Sequence, residues 1–261
     1  NIRETIFSPK EGSISIGSAN IHAAAPDVAS NKKKILAATE IFKEKKVNLA
    51  IFPEFCITGY FWEDYEECSR YMESVTADKQ RNWIMDNLYP LLDDELYVIV
   101  INNIRKVPST NQKYLNSTFV LNKFVDFTGE EYIYDKIMLP GIEKTYCCSG
   151  LDDRLVIDTR IGKFGFTTCY DYCFSALLQE YSRIDHVDAV IEVACWRGTG
   201  TRAYQDVNVF TDTYYGYLWD TLMASRSATN QFWTIACNAV GRHEISGEVF
   251  WGGSGLLILY L

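Results

Sequence analysis

Short runs of β-branched and aromatic residues alternate along this chain with longer stretches of helical periodicity. The pattern predicts strands over Ser13–Ala19, Leu49–Pro53, Leu96–Asn102, Ser117–Asn122, Phe164–Cys169, Ala189–Ala194, Trp233–Asn238 and Gly255–Leu259. It predicts helices over Asp27–Lys46, where Ile35, Ala38 and Phe42 share a face, over Thr76–Leu92, after Asp171, and over Leu218–Asn230. Interleaving of this kind predicts a layered α/β architecture. No linker, repeat or low-complexity tract breaks it, so residues 1–261 read as a single domain, with 1–12 as an N-terminal extension.

Composition narrows the partners. Against 34 Asp and Glu stand 25 Lys and Arg, and the net charge of −9 opposes attraction to nucleic acid or anionic lipid. No apolar run reaches the roughly 20 residues that cross a bilayer, and the first residues lack the apolar region of a signal peptide, so a cytoplasmic protein with no membrane partner is expected. The eight cysteines fall mostly in or beside strands, where reduced Cys is a small buried hydrophobe. Asn116-Ser117-Thr118 is a glycosylation sequon only in a secreted protein, and it sits within a predicted strand. The three histidines lack the spacing of a zinc site, and no metal or other cofactor is expected.

Three segments carry chemistry. Glu54 follows the strand ending in Phe52-Pro53, just ahead of a break at Thr58-Gly59; Lys136 lies in Tyr134-Asp-Lys-Ile-Met-Leu139; Cys169 lies between Gly165-Phe-Thr-Thr and Tyr170-Asp171. Ends of buried strands are where α/β enzymes keep their reactive groups. The sharp strand-to-helix turn expected at Cys169 would set a helix N-terminus against a thiolate and aim the Tyr170 backbone N–H at an oxyanion. Each residue alone also fits a bland role: a core thiol, a solvated strand end. Together they are complementary, since a carboxylate can take the thiol proton and an ammonium can stabilise the tetrahedral intermediate. Glu143, across Pro140-Gly141, either holds that ammonium or is a surface carboxylate. Tyr60, Trp62, Tyr172 and Trp196 are candidate walls of a substrate pocket, with Arg197 a candidate partner for a substrate carboxylate; core packing and a solvated Arg are the other readings.

With these motifs in view, the chain resembles the nitrilase superfamily of carbon-nitrogen hydrolases from about Ser13 to Leu259. The matching segments are Phe52-Pro-Glu54 with Thr58-Gly-Tyr60, Tyr134-Asp-Lys136-Ile-Met-Leu139 with Glu143 and Gly150, and Cys169-Tyr-Asp171 with Val187-Asp-Ala-Val-Ile and Trp196. Arg226 with Asn230, Asn238 with Gly241, and Gly252 with Ser254 follow in order. The resemblance implies a four-layer αββα sandwich and a Glu54–Lys136–Cys169 triad supported by Glu143. It also implies hydrolysis of a small amide or N-carbamoyl compound through a cysteine thioester, without a cofactor. The Tyr-Asp after the cysteine is similar to the amidase side of the superfamily. A nitrilase, or a binding or regulatory protein with a weakened site, is the alternative. Departures from the pattern are Phe174-Ser-Ala where relatives often carry Pro-Glu, and Thr229 where a Glu commonly stands. Relatives commonly pair through the helix after the cysteine motif and the one before Asn230, so a homodimer through 174–183 and 214–225 is expected. The chain ends at Leu261, short of the C-terminal segment many relatives use in such contacts.

Overall fold

The computed structural model describes residues 12–25, 27–60, 66–70, 83–106, 113–123, 132–151, 154–198, 200–204, 207–211, 213–245 and 247–257, besides residues 2, 4 and 5. Trp62 lies outside the described residues, as do most of 1–12 and of the first half of the predicted 76–92 helix.

The first sheet runs β1 (Ile16–Ser18), β2 (Leu49–Ile51), β3 (Val98–Lys106), β4 (Tyr114–Asn122) and β5 (Ile133–Asp135) in that order. Its first three strands are parallel and the last two antiparallel. The second sheet contains β6 (Val156–Thr159), β7 (Gly162–Thr168), β8 (Ala189–Ala194), β11 (Trp233–Asn238) and β14 (Gly255–Leu257), in the order β14-β11-β8-β7-β6. Its centre, β7-β8-β11, is parallel. Two hairpins complete the strands, β9 (Gly200–Tyr204) with β10 (Val207–Thr211), and β12 (Val240–Arg242) with β13 (Val249–Trp251). Three α-helices are described over their whole length, α1 (Val28–Glu44), α2 (Ser175–Arg183) and α3 (Tyr214–Asn230), and residues 66–70 and 83–87 are helical as well.

Strand alternation assigns each side chain to a layer. On β8, Ala189, Ile191 and Val193 join Leu49, Ile51, Val98, Val100 and Val120 in a core between the two sheets. Val190 and Ala194 point the other way, into a core with Leu178, Tyr181, Trp219 and Met223 of α2 and α3. A third core lies outside the first sheet, where Ile35 of α1 is fully buried with Phe52, Ile99 and Phe119. Each such aliphatic side chain contributes about 1.5–3 kcal/mol by leaving water. The result is helix, sheet, sheet, helix: the four-layer αββα sandwich.

Close approach decides two local features. Asp27 caps α1 by accepting a hydrogen bond from Ser30 N at 3.0 Å, and Phe42 then lies flat on β1 because Gly17 has no Cβ to meet its ring. Gly165 on β7 likewise makes room for the Tyr181 ring, whose hydroxyl donates to Phe166 O at 2.7 Å and pins α2 to the sheet. Leu178, Tyr181 and Trp219 are buried in the protomer's own core, and Leu177, Tyr215, Leu218 and Leu222 pack against it. Much of the apolar surface of these two helices is therefore covered by their own sheet, while Leu177, Tyr215, Leu218 and Leu222 stay partly exposed. No helix among the described residues is long and apolar enough to cross a membrane.

Candidate active site

Three loops deliver Glu54, Lys136 and Cys169 to one end of the two-sheet core. Glu54 follows β2, and the chain turns immediately after it, with Phe55 in the left-handed region at φ 46°. That conformation is costly for a residue with a Cβ and is held from outside: Asn102 Oδ1 on β3 accepts the Phe55 N–H at 2.8 Å. Glu54 is fully buried. Its Oε1 accepts from Lys136 Nζ at 2.8 Å and Asn116 Nδ2 at 2.7 Å, and its Oε2 from the Cys195 backbone N–H at 2.8 Å. Charge-assisted bonds of this number give a buried carboxylate the solvation that water would otherwise supply.

Lys136 directly follows β5. Its backbone N–H donates to Asn116 O and its carbonyl accepts from Gly150 N, both at 2.8 Å. Gly150 is required there, since a Cβ would run into the Asp135 backbone. The Lys136 ammonium, also fully buried, donates to Glu143 Oε1 at 2.5 Å as well as to Glu54. Burial works against that charge, but Glu143 and Glu54 prevail and hold the ammonium well above its ordinary pKa. Glu143 is pushed up by burial, because the one cation beside it is shared. Tyr60 donates its hydroxyl to Glu143 Oε1 at 2.6 Å, and Asn116 Nδ2 reaches Glu143 Oε2 at 3.2 Å. The sequon asparagine is thus a buried donor between two glutamates.

Cys169 follows β7 with φ 53°, a second left-handed residue at the site. Its thiol is pushed well above the ordinary range, first by burial and then by Glu54, with Lys136 opposing. Burial and Glu54 both favour the thiol over the thiolate. The sharp turn expected here is present, but the long helix is not. Residues Cys169–Cys173 form a single 3₁₀ turn, Phe174 is extended, and α2 starts at Ser175. So short a turn carries little macrodipole, and the thiolate stabilisation expected from a helix N-terminus is absent. The turn is held by a capping box instead: Asp171 Oδ2 accepts from Thr168 N at 3.1 Å and Tyr134 OH at 2.7 Å, Oδ1 accepts from Met138 N at 2.6 Å, and Thr168 accepts from the Asp171 amide. Burial pushes Asp171 up to about 6, against the pull of Lys136 and these donors.

The remaining candidates separate. Tyr60 belongs to the cluster. Tyr172 is fully buried on the helix side, its hydroxyl 2.5 Å from Thr234 Oγ1, and Trp196 packs on Trp219 with its indole N–H on Tyr215 O at 2.7 Å. Both fill core rather than wall a pocket, since each polar end is already engaged. Arg197 pairs with Glu248 at 3.0 Å and lies over the Tyr215 ring, so its charge is matched within the chain. All eight cysteines are free thiols. No group of three His, Cys, Asp or Glu side chains among the described residues could hold a metal ion.

Asn116, Asn102 and the Cys195 amide support the site without having been singled out from sequence, and so does Glu192 on β8. Fully buried, Glu192 accepts from Thr167 Oγ1 at 2.6 Å, and its other oxygen has no hydrogen-bond partner among the described residues. Burial pushes its pKa well above the ordinary 4.5, with Thr167 opposing. A carboxyl raised on folding contributes stability that is complete below its unfolded pKa and is lost as pH rises toward the folded one. Glu192→Gln, neutral throughout, should therefore match the parent's melting temperature near pH 4 and exceed it increasingly toward pH 8. A constant difference across that range in thermal scans would show that Glu192 is ionised in the fold.

Comparison with known proteins agrees with this architecture. The family model for carbon-nitrogen hydrolase matches residues 14–256, and the chain belongs to that family. It is 23% identical over 235 residues to omega-amidase NIT3 of Saccharomyces cerevisiae, covering 86% of this chain and 73% of the relative. Among solved structures, it is similar to a mutant of the amidase from Nesterenkonia sp. AN1 that shows the result of Michael addition of acrylamide at the active-site cysteine. There the TM-score is 0.71 at 18% identity, over 94% of this chain and 85% of that one. It is also similar to glutamine-dependent NAD+ synthetase from Acinetobacter baumannii, with a TM-score of 0.69 at 19% identity; 93% of this chain is covered, but it spans only 41% of the synthetase.

Proposed function

We propose that this hydrolase cleaves the carbon-nitrogen bond of a small amide or N-carbamoyl compound through a cysteine thioester. The observation that carries the reading is the buried contact of Lys136 with Glu54 at 2.8 Å, in a cluster whose two charges dominate the electrostatics of the Cys169 thiol after burial itself. Because thiolate is disfavoured at rest, proton loss and attack are coupled. Glu54 takes the thiol proton as the sulfur bonds to the substrate carbonyl carbon, and the carbonyl π electrons move to oxygen. Lys136 and the Tyr170 backbone N–H stabilise that oxyanion. The tetrahedral species collapses, the C–N bond breaks, and Glu54 returns its proton to the leaving nitrogen. Water then attacks the thioester while Glu54 takes its proton. The sulfur leaves, is reprotonated, and a carboxylic acid or carbamate is released. Glu143, braced by Tyr60 and Asn116, fixes the ammonium throughout.

The omega-amidase relative and the cysteine adduct of the Nesterenkonia amidase support this choice of bond and nucleophile. A panel of short aliphatic amides, carbamoyl compounds and nitriles, followed by ammonia release, tests it. Amides or carbamoyl compounds should be turned over, with an acyl adduct on Cys169 in intact-mass spectra. Release from nitriles alone, or from nothing, would sink the proposal.

We also propose a cytoplasmic homodimer joined through α2 and α3. Leu178 is no probe of that contact, since a charge there would break the protomer's core. Tyr217 on α3 is 68% exposed and is the better one. Tyr217→Asp should lower the dimer fraction in light scattering without changing the melting temperature of the protomer; an unchanged mass, or a parent that is already monomeric, counts against the pairing.

A further inference from the structure

The two left-handed residues of the site, Phe55 and Cys169, belong to different sheets, yet one buried amide is connected to both. Asn102 on β3 makes three side-chain hydrogen bonds. Its Oδ1 accepts from Phe55 N at 2.8 Å, and its Nδ2 donates to Asn116 Oδ1 and to Thr118 Oγ1, each at 2.9 Å. The amide can face only one way, since a flip would set its NH₂ against the Phe55 N–H. From there two branches run. One passes through Asn116, whose Nδ2 holds Glu54 Oε1. The other passes through Thr118, whose hydroxyl lies 3.1 Å from Thr168 Oγ1. Thr168 is the capping residue of the turn that begins at Cys169. Asn102, Asn116, Thr118 and Thr168 are all buried, so water does not compete for these bonds.

We infer that Asn102 is a positioning residue that sets the Glu54 carboxylate in register with the Cys169 thiol, acting on one through Asn116 and Phe55 and on the other through Thr118 and Thr168. A side chain that only stabilised the fold would tie its own strand to a neighbour. Asn103, the next residue, goes no further than its own sheet: its Oδ1 accepts from Thr58 Oγ1 at 3.0 Å in the turn that follows β2, and its Nδ2 donates to the carbonyl of the adjacent Ile104 at 3.2 Å. Asn102 also bonds within its own sheet, but its partner Thr118 carries the chain across to Thr168 of the second sheet, where a small relative shift would change the distance over which a proton must move. A misplacement of about 1 Å at such a distance costs up to about a hundredfold in rate.

The inference rests on the proposed role of Cys169, so the test has one arm that requires substrate turnover and one that does not. The first is kcat and KM on the best amide of the panel. The second is the rate at which iodoacetamide alkylates Cys169, followed by mass spectrometry across pH. Thr118→Val cuts the chain at one hydroxyl with little change in shape. It should lower kcat and the alkylation rate by on the order of tenfold, with KM within about twofold, and Thr118→Ser should restore both. Asn102→Asp, which sets a carboxylate oxygen against Asn116 Oδ1 and turns the Thr118 hydroxyl from acceptor to donor, should cost more than Thr118→Val in both readouts. Asn103→Ala should leave both within about twofold. Thr118→Val rates equal to the parent's, no rescue by Thr118→Ser, or an Asn103→Ala loss as large as that of Asn102→Asp would overturn the inference. Absence of ammonia from every amide would overturn only the functional reading, since the alkylation arm still decides the coupling. Should Asn102→Asp not fold, the Thr118 pair decides it alone.

Discussion

Cys169→Ala is expected to abolish ammonia release, by about 10⁴-fold or more, while the protein keeps its fold. The Cys195 thiol nearby is engaged in donating to Glu54 O at 2.9 Å. Cys173, at the other end of the same 3₁₀ turn, is the rival nucleophile, but after burial the charges that act most on its thiol are Glu192 and Arg226, whereas on Cys169 they are Glu54 and Lys136, and its backbone carbonyl accepts from Arg226 at 3.0 Å. The substitution removes one sulfur and leaves the capping box of Thr168 and Asp171 in place, so the turn should persist. Circular dichroism and the melting temperature should be nearly unchanged, and the acyl adduct should vanish from the mass spectrum. Cys173→Ala should retain activity within a few-fold. Activity kept in Cys169→Ala and lost in Cys173→Ala would reverse the assignment.

Lys136→Met is expected to damage both stability and turnover. The ammonium is the cation that both Glu54 and Glu143 contact directly, and all three groups are fully buried. Removing one partner of a buried ionic cluster costs about 3–5 kcal/mol, because the charges left behind have neither water nor counterion. The sign of the pH dependence follows. In the parent, a lysine pKa raised above 10.5 contributes stability that is complete at neutral pH and is lost only as pH climbs through the folded value. In the variant, the stranded carboxyls bind protons more tightly folded than unfolded, so their contribution is present below the unfolded carboxyl range and disappears as pH rises. The stability deficit should be largest near pH 7–8 and shrink toward pH 4 in urea titrations. Turnover should fall by about 10³-fold with the loss of the oxyanion partner. A deficit that stayed flat with pH would mean that the carboxyls were not ionised to begin with.

The layers of this fold were legible in the sequence wherever a strand was apolar on both faces. Ala189–Ala194 and Trp233–Asn238 are found with the expected ends, because central strands buried between two cores read as nearly continuous apolar runs, interrupted here by Glu192 and by Thr234 and Asn238. Of the short edge strands, β1 and β14 lie within the expected Ser13–Ala19 and Gly255–Leu259, but β5 and β6 were not legible. β5 has three residues and β6 four, and the charge in Tyr134-Asp135 and the polar residues of Asp158-Thr159 masked their alternation. Helix α3 starts at Tyr214 rather than Leu218, since aromatic residues and Gly216 gave its first turn no clear period. Within the site, the charged residues announced themselves by standing at the ends of apolar strands. Asn102 and Asn116 did not, because a polar residue inside a strand suggests a solvent face until the opposite sheet is known. Tyr172 and Trp196 misled for the converse reason: an aromatic beside a catalytic motif fits a pocket wall and a core residue equally well. The length of the turn after Cys169 depended on Phe174 being extended, which no local signal required.

The hydrogen bond from Cys195 N to Glu54 Oε2 joins residues 141 positions apart in the chain. It forms only when β8 has docked beside β7 and the second sheet lies on the first. A ribosome that has delivered Glu54, Lys136 and even Cys169 has therefore not yet delivered the whole cluster, since the Glu54 carboxylate still lacks one of its donors. On the proposed mechanism, reactivity is expected to arise late in synthesis, after residue 195 has been added.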